Sequence, residues 1–156
     1  MKKVTKWIAS MALMAITSFG FAQIKPGMLE DKFHQTMSSS CEAAKQQALA
    51  IAKDTSKTTA EKLQKADGIL KSLEATKKAH ESIKNTTPVT KKAATQEINT
   101  NIEKHQAEAT QYATSLKEEL QKPKADNTKV NDLTKKLTSS LDEMEKAHQT
   151  LKTAVK

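Results

Sequence analysis

Four histidines, two methionines and one cysteine are the side chains on which any chemistry of this chain would rest. His34, His80, His105 and His148 are widely separated in sequence, and each falls in or beside a run of apolar residues spaced three and four apart. That spacing is the signature of one face of an α-helix. Met37, Cys41 and Met144 occupy neighbouring positions in the same stripes. Neutral imidazole is the commonest protein metal ligand, and sulfur ligands beside imidazole favour copper over magnesium or calcium. His34, His80, His105, His148, Met37 and Met144 are therefore the candidate ligands for copper or zinc. Met37 and His148 would also suit the axial positions of a non-covalent haem, by analogy with small exported bundles, although aromatic lining is scarce. The competing reading makes each histidine a boundary residue, its ring packed on aliphatic carbon and one nitrogen in water.

Denser motifs are absent. His80-Glu81-Ser82-Ile83-Lys84 begins like HExxH but has Lys84 where the second zinc-binding histidine is required. A di-iron bundle needs Glu-x-x-His on two helices; Glu145-x-x-His148 fits, whereas the corresponding segment reads Lys77-x-x-His80. No CxxCH is present, which excludes covalent haem. Cys41 has no histidine or acid at a recognisable catalytic spacing, so the chain is read as non-enzymatic, with no catalytic residues. In an oxidising compartment a lone cysteine is either a buried thiol or one half of an intermolecular disulfide.

These residues need helices to position them. Leu137, Leu141, Met144, His148, Leu151 and Val155 form one stripe near the C-terminus. Part of that segment is a repeat: Ser72-Leu73-Glu74 and Lys78-Ala79-His80 match Ser140-Leu141-Asp142 and Lys146-Ala147-His148 at an offset of 68 residues. Such a period suggests a duplicated unit of two helices. The first helix is predicted over about 29–54, with Phe33 or His34, Met37, Cys41, Ala44, Ala48 and Ile51 inward. Thr58-Thr59-Ala60-Glu61 has capping-box spacing and opens a second helix, with Leu63, Ala66, Leu70, Leu73, His80 and Ile83 inward, that ends near Asn85. Gly68 lies inside it and points to close packing. Thr87 is read as the N-cap of a third helix with Pro88 at its first position, inward residues being Ala94, Ile98, Ile102, His105, Ala109, Tyr112, Leu116 and Leu120. Lys122-Pro123-Lys124-Ala125 breaks the chain, and Asp126 or Asn127 caps the fourth helix.

Short links between long helices favour antiparallel neighbours. The predicted fold is all-α: an antiparallel up-down four-helix bundle over 29–156, built of duplicated hairpins 29–85 and 88–155. The alternative is an elongated pair of helical hairpins that closes its core by dimerising. Hairpin turns near Ser56 and near Lys124 would pair His34 with His80 and His105 with His148, since each helical residue advances about 1.5 Å.

Residues 1–22 read as a secretory signal peptide: Lys2, Lys3 and Lys6, an apolar run from Ile8 to Phe21, and a small-x-small site ending at Ala22. Residues 23–28 form a short N-terminal extension. The mature form is expected to lack a transmembrane segment and to be periplasmic or secreted. Removal of the signal lowers the formal charge from +8 to +5, because three lysines and no acid leave with it. Phe33 and Tyr112 are then the remaining aromatics, and every basic residue is lysine. Base reading relies on arginine and single-strand binding on aromatic stacking, so no nucleic-acid partner is expected. Leu, Ile, Val and Phe make up about a sixth of the mature chain, low for a folded domain, which predicts a thin, alanine-rich core. The function expected from this set is an exported helical bundle of the bacterial cell envelope that binds a protein or envelope component, or acts structurally, with homodimerisation open. The alternative is a small copper-, zinc- or haem-binding bundle.

Overall fold

The computed structural model describes residues 26–53 and 58–155. The predicted signal at 1–22 and the predicted linker at 55–57 lie outside the described residues. Four helices follow in order: α1 (Pro26–Lys53), α2 (Thr59–Thr86), α3 (Val89–Gln121) and α4 (Asn127–Val155). Each has 28 to 33 residues, hence a length of about 40–50 Å. Among the described residues there is no strand. The two hairpin seams, α1 on α2 and α3 on α4, are the most extensive; α2 also meets α3, and α4 meets α1. The helices therefore stand in cyclic order as an up-down-up-down bundle, closed within one chain. The elongated, dimer-closed alternative is not the arrangement found. No helix among the described residues is long and apolar enough to cross a membrane.

The helix ends follow their local chemistry. Thr58 and Glu61 form the capping box, with the Glu61 amide donating to Thr58 Oγ1 at 3.3 Å and the Thr58 amide to Glu61 Oε2 at 2.8 Å. Asp126 caps α4, its Oδ1 accepting from the amides of Thr128 (2.8 Å) and Lys129 (3.3 Å). Two expectations are corrected. The first helix begins at Pro26 rather than Leu29, because proline is tolerated in a first turn, where its missing N–H would have no partner anyway; residues 26–28 are thus not an extension. Thr87 does not cap α3. Its hydroxyl (2.7 Å) and amide (2.9 Å) both donate back to the Ile83 carbonyl at the end of α2, and α3 starts after Pro88 without a side-chain cap.

The core runs the length of the bundle and is thin, as the composition requires. Ala44, Ala48, Ala66, Ala109 and Ala113 are fully buried beside Ile69, Ile102, Leu116, Leu137, Leu141 and Leu151. The inward face of α3 is turned slightly from the predicted one. Ala94 is exposed and His105 half-buried, while Thr95, Gln106 and Ala113 are buried. Gln106 can lie inside because its amide donates to the Leu73 carbonyl of α2 at 3.3 Å, which satisfies a group that burial would otherwise penalise. Gly68 marks the close approach expected of it: a Cβ built there would stand 2.0 Å from Gln47 Oε1 of α1. The obstacle is the end of a flexible side chain. Gly68→Ala should therefore raise stability by about 0.5 kcal/mol, the helix-propensity gain less the cost of moving the Gln47 amide. Leu141→Ala, at a fully buried site, should lower it by about 2–5 kcal/mol. Urea midpoints of the two variants check both signs.

Candidate functional site

The stripe His34, Ser38, Cys41, Lys45 has spacings of four, three and four, so it lies along one line of α1. All four residues reach α4. His34 Nδ1 lies 2.8 Å from His148 Nε2. Ser38 Oγ donates to Glu145 Oε1 at 2.9 Å and lies 3.4 Å from His148 Nδ1. The Cys41 thiol donates to the Leu141 carbonyl at 3.5 Å, and Lys45 pairs with Asp142. From His34 to Cys41 the partners on α4 step back from His148 through Glu145 to Leu141, as antiparallel helices demand.

The centre of this seam is a pair of buried imidazoles. His34 is 3 % exposed and His148 is fully buried; the rings stack with centroids 5.0 Å apart and planes 21° from parallel. One of the two facing nitrogens must carry the proton and the other the lone pair. The partners decide which. Glu145 Oε2 lies 3.7 Å from His148 Nδ1, so the proton belongs on Nδ1, facing that carboxylate and the Ser38 oxygen. Nε2 of His148 is then the acceptor and His34 Nδ1–H the donor. The chain runs from His34 through His148 and Ser38 to Glu145, an assignment inferred from partners as any imidazole tautomer must be. Glu145 is ionised: its carboxyl is held down at about 2, first by the His148 imidazole and then by hydrogen bonds from Gln149 and Ser38, against the opposing effect of burial.

The other candidates sit elsewhere. His80, 1 % exposed on α2, lies near His148. Its Nε2 donates to Asn99 Oδ1 on α3 at 3.0 Å, and His148 is near enough to bear on its protonation. His105 is half-buried and bonds along its own helix, Nδ1 to Glu108 Oε2 at 3.0 Å. The pairings predicted from the hairpins, His34 with His80 and His105 with His148, are thus replaced by His34 with His148 and His80 with Asn99. Sequence level along a hairpin does not set the direction in which a ring points around the helix. Met37 (1 %) and Met144 (fully buried) pack in the core one turn from His34 and His148. Among the described residues, no three of His, Cys, Asp and Glu converge on a point where a metal ion could sit. The 2.8 Å between the facing nitrogens is also shorter than the span two imidazoles make around a zinc ion, with each bond about 2.0–2.1 Å in a tetrahedral arrangement.

Ser38, Glu145 and His148 bring together the residue types of a hydrolytic centre, but their geometry runs the wrong way. Ser38 donates its hydrogen bond to the Glu145 carboxylate rather than to the imidazole, and it sits mid-helix, where the backbone amides that could form an oxyanion hole are already bonded. Cys41 is a free, buried thiol. Burial, more than the nearby carboxylates, pushes its pKa up to about 12, so it is not a thiolate nucleophile. A recess of about 200 Å³ between α1 and α4 is lined by Ser38, Cys41, Lys45, Asp142 and Glu145 among others. A wider groove of about 720 Å³ runs beside the α2–α3 turn, lined by polar side chains including Asn85, Gln96 and Asn99.

Burial lowers the pKa of His80, only partly offset by its hydrogen bond to Asn99. Its folded pKa therefore lies below the unfolded value of about 6.5. Above that value both states are neutral there and the stability is fully present; as pH falls below it the unfolded chain takes up the proton first, and stability is lost towards the folded pKa. Urea midpoints between about pH 8 and pH 5 should fall on acidification, and His80→Gln should make the fall shallower by up to about 1.4 kcal/mol per pH unit. An unchanged slope would contradict the assignment of His80 as a buried neutral imidazole. No family model, curated protein or solved structure matches this chain.

Proposed function

We propose that this chain is an exported, non-enzymatic helical bundle of the bacterial cell envelope, acting in the periplasm or outside the cell as a binding or structural protein. The observation that carries the reading is the direction of its polar interior. His34, Ser38, Glu145 and His148 tie α1 to α4, and His80 ties α2 to Asn99 of α3, so the candidate groups hold helices together rather than face a substrate. The basic n-region, apolar run and small-x-small site of residues 1–22 support export. The exterior supports a contact role: lysines interspersed with acids and paired with them, as in Lys117 with Asp67 and Lys136 with Asp132. Among the described residues, Met28, Leu29 and Val89 are the exposed large apolar side chains, at the end where α1 and α3 begin, and this is where an envelope protein or a second copy would dock.

Two measurements test this. Cells expressing the full chain should release a soluble protein whose intact mass lacks residues 1–22; a full-length product held in the cytoplasm would remove the export claim. Titration of that product with Cu²⁺, Zn²⁺ and haem should leave its Tm unchanged. A ligand that binds only the folded state adds about 2.7 kcal/mol at a hundredfold excess over Kd, several degrees for a domain of this size. A rise of that order would favour a metal- or haem-binding role instead.

A further inference from the structure

The His34–His148 hydrogen bond exists only while one of its two facing nitrogens keeps a lone pair. A neutral pair shares one N–H between the rings. A proton added to the pair is matched by the Glu145 carboxylate beside His148 Nδ1. Once both rings are imidazolium, both facing nitrogens carry protons, neither can accept, and two positive charges stand 2.8 Å apart at nitrogen in a buried layer.

The charged groups around the pair decide where the rings then go. From α4, Glu145 lies three residues before His148. From α1, Glu30 lies four residues before His34, the spacing of side-chain neighbours on a helix, with its Oε1 buried and without a hydrogen bond. From α2 comes His80, itself ionisable, and beyond it Lys84, which is paired with Glu103 of α3. Each ring of the pair thus has a carboxylate on its own helix. Double protonation removes the bond that crosses the seam and leaves His148 attracted to Glu145 within α4. The seam it releases is one of the two less extensive in the bundle.

We propose that the α1–α4 seam is an acid-operated latch: a shared proton between His34 and His148 holds α1 against α4, and charging of both rings frees α1 to move away and uncover the apolar strip that holds Cys41. The device follows from the bundle itself and needs neither export nor a partner.

Cys41 is a built-in probe, being the chain's one cysteine, 4 % exposed and bonded across this seam to the Leu141 carbonyl. Its reaction with 4,4′-dithiodipyridine, which remains thiol-reactive in acid, is followed from about pH 7.5 to about pH 4.5, with far-UV circular dichroism in parallel. Rates are referenced to the urea-unfolded chain at each pH. The latch predicts that relative Cys41 reactivity rises by up to about tenfold per pH unit for each proton taken up on opening, while helicity is retained. His34→Gln and His148→Gln should each flatten that rise, whether the variant seam stays shut or stands open at neutral pH. His80→Gln, near His148 but outside the pair, should keep it. Cys41 staying protected until helicity is lost, or an undiminished rise in both His34→Gln and His148→Gln, would overturn the proposal.

Discussion

The contact that orders the rest of this molecule is a hydrogen bond between two buried imidazoles, His34 on α1 and His148 on α4. Hydrophobic packing alone is indifferent to small slides of one helix along another, and this core is rich in alanine, which gives few knobs to resist sliding. A buried polar pair is not indifferent. If α1 moved by one turn, two ring nitrogens would lose their partners in a medium that does not replace them, at about 1–3 kcal/mol for each group left unsatisfied. Ser38 to Glu145 and Cys41 to the Leu141 carbonyl repeat the same register one and two turns further along. The polar line therefore acts as a ruler, and the apolar residues on either side supply the bulk of the burial. The second hairpin is closed by a comparable device at its turn, where Glu119, 3 % exposed at its side chain, takes Lys122 at 2.6 Å and Lys129 at 3.2 Å. Lys122, the Asp126 amide and Lys129 together hold its carboxyl at about 2.

Much of the fold was legible in the sequence because its signals are local. Apolar spacing, Thr58 to Glu61, Asp126 and the three prolines each act within one or two turns, so four helices and their antiparallel order follow from short-range chemistry. The 68-residue match carries over to burial: Leu73 and Leu141, Ile83 and Leu151, and His80 and His148 are all buried. What a helical stripe does not reveal is which neighbour each flank of it meets. His34 lies in the same stripe as Ala44, Ala48 and Ile51, yet its flank, with Ser38, Cys41 and Lys45, turns to α4 rather than to its hairpin partner α2. The clue was present as a polar line spaced four, three and four on α1, opposite Leu141, Asp142, Glu145 and His148. Reading it required knowing that the bundle closes α1 on α4.

The candidate site was half legible. All four histidines were placed on inward or flanking faces, and three of them are buried. His105 was misplaced by the small rotation of α3 that puts Gln106 and Thr95 inside, because a buried glutamine bonded to the Leu73 carbonyl has no signature in hydropathy. Glu145 was noticed only as part of Glu145-x-x-His148 and Ser38 not as a site residue, since a polar side chain shows no inward role until its partner is known. The duplicated histidines also differ in what they meet: His148 finds an imidazole on α1, and His80 finds Asn99 on α3. Matching positions of the two hairpins thus give two chemistries, one pair that shares a proton and one buried neutral ring, and only the former couples protonation to the contact between two helices.

The most direct test of this account is an NMR measurement of the imidazoles in the folded protein near neutral pH. Long-range ¹H–¹⁵N correlations should show His148 protonated on Nδ1 with a lone pair on Nε2, His34 protonated on Nδ1, and nuclear Overhauser contacts between the two rings. Rings without mutual contacts, or with the tautomer mixture of free histidine, would contradict the His34–His148 bond and the register built on it.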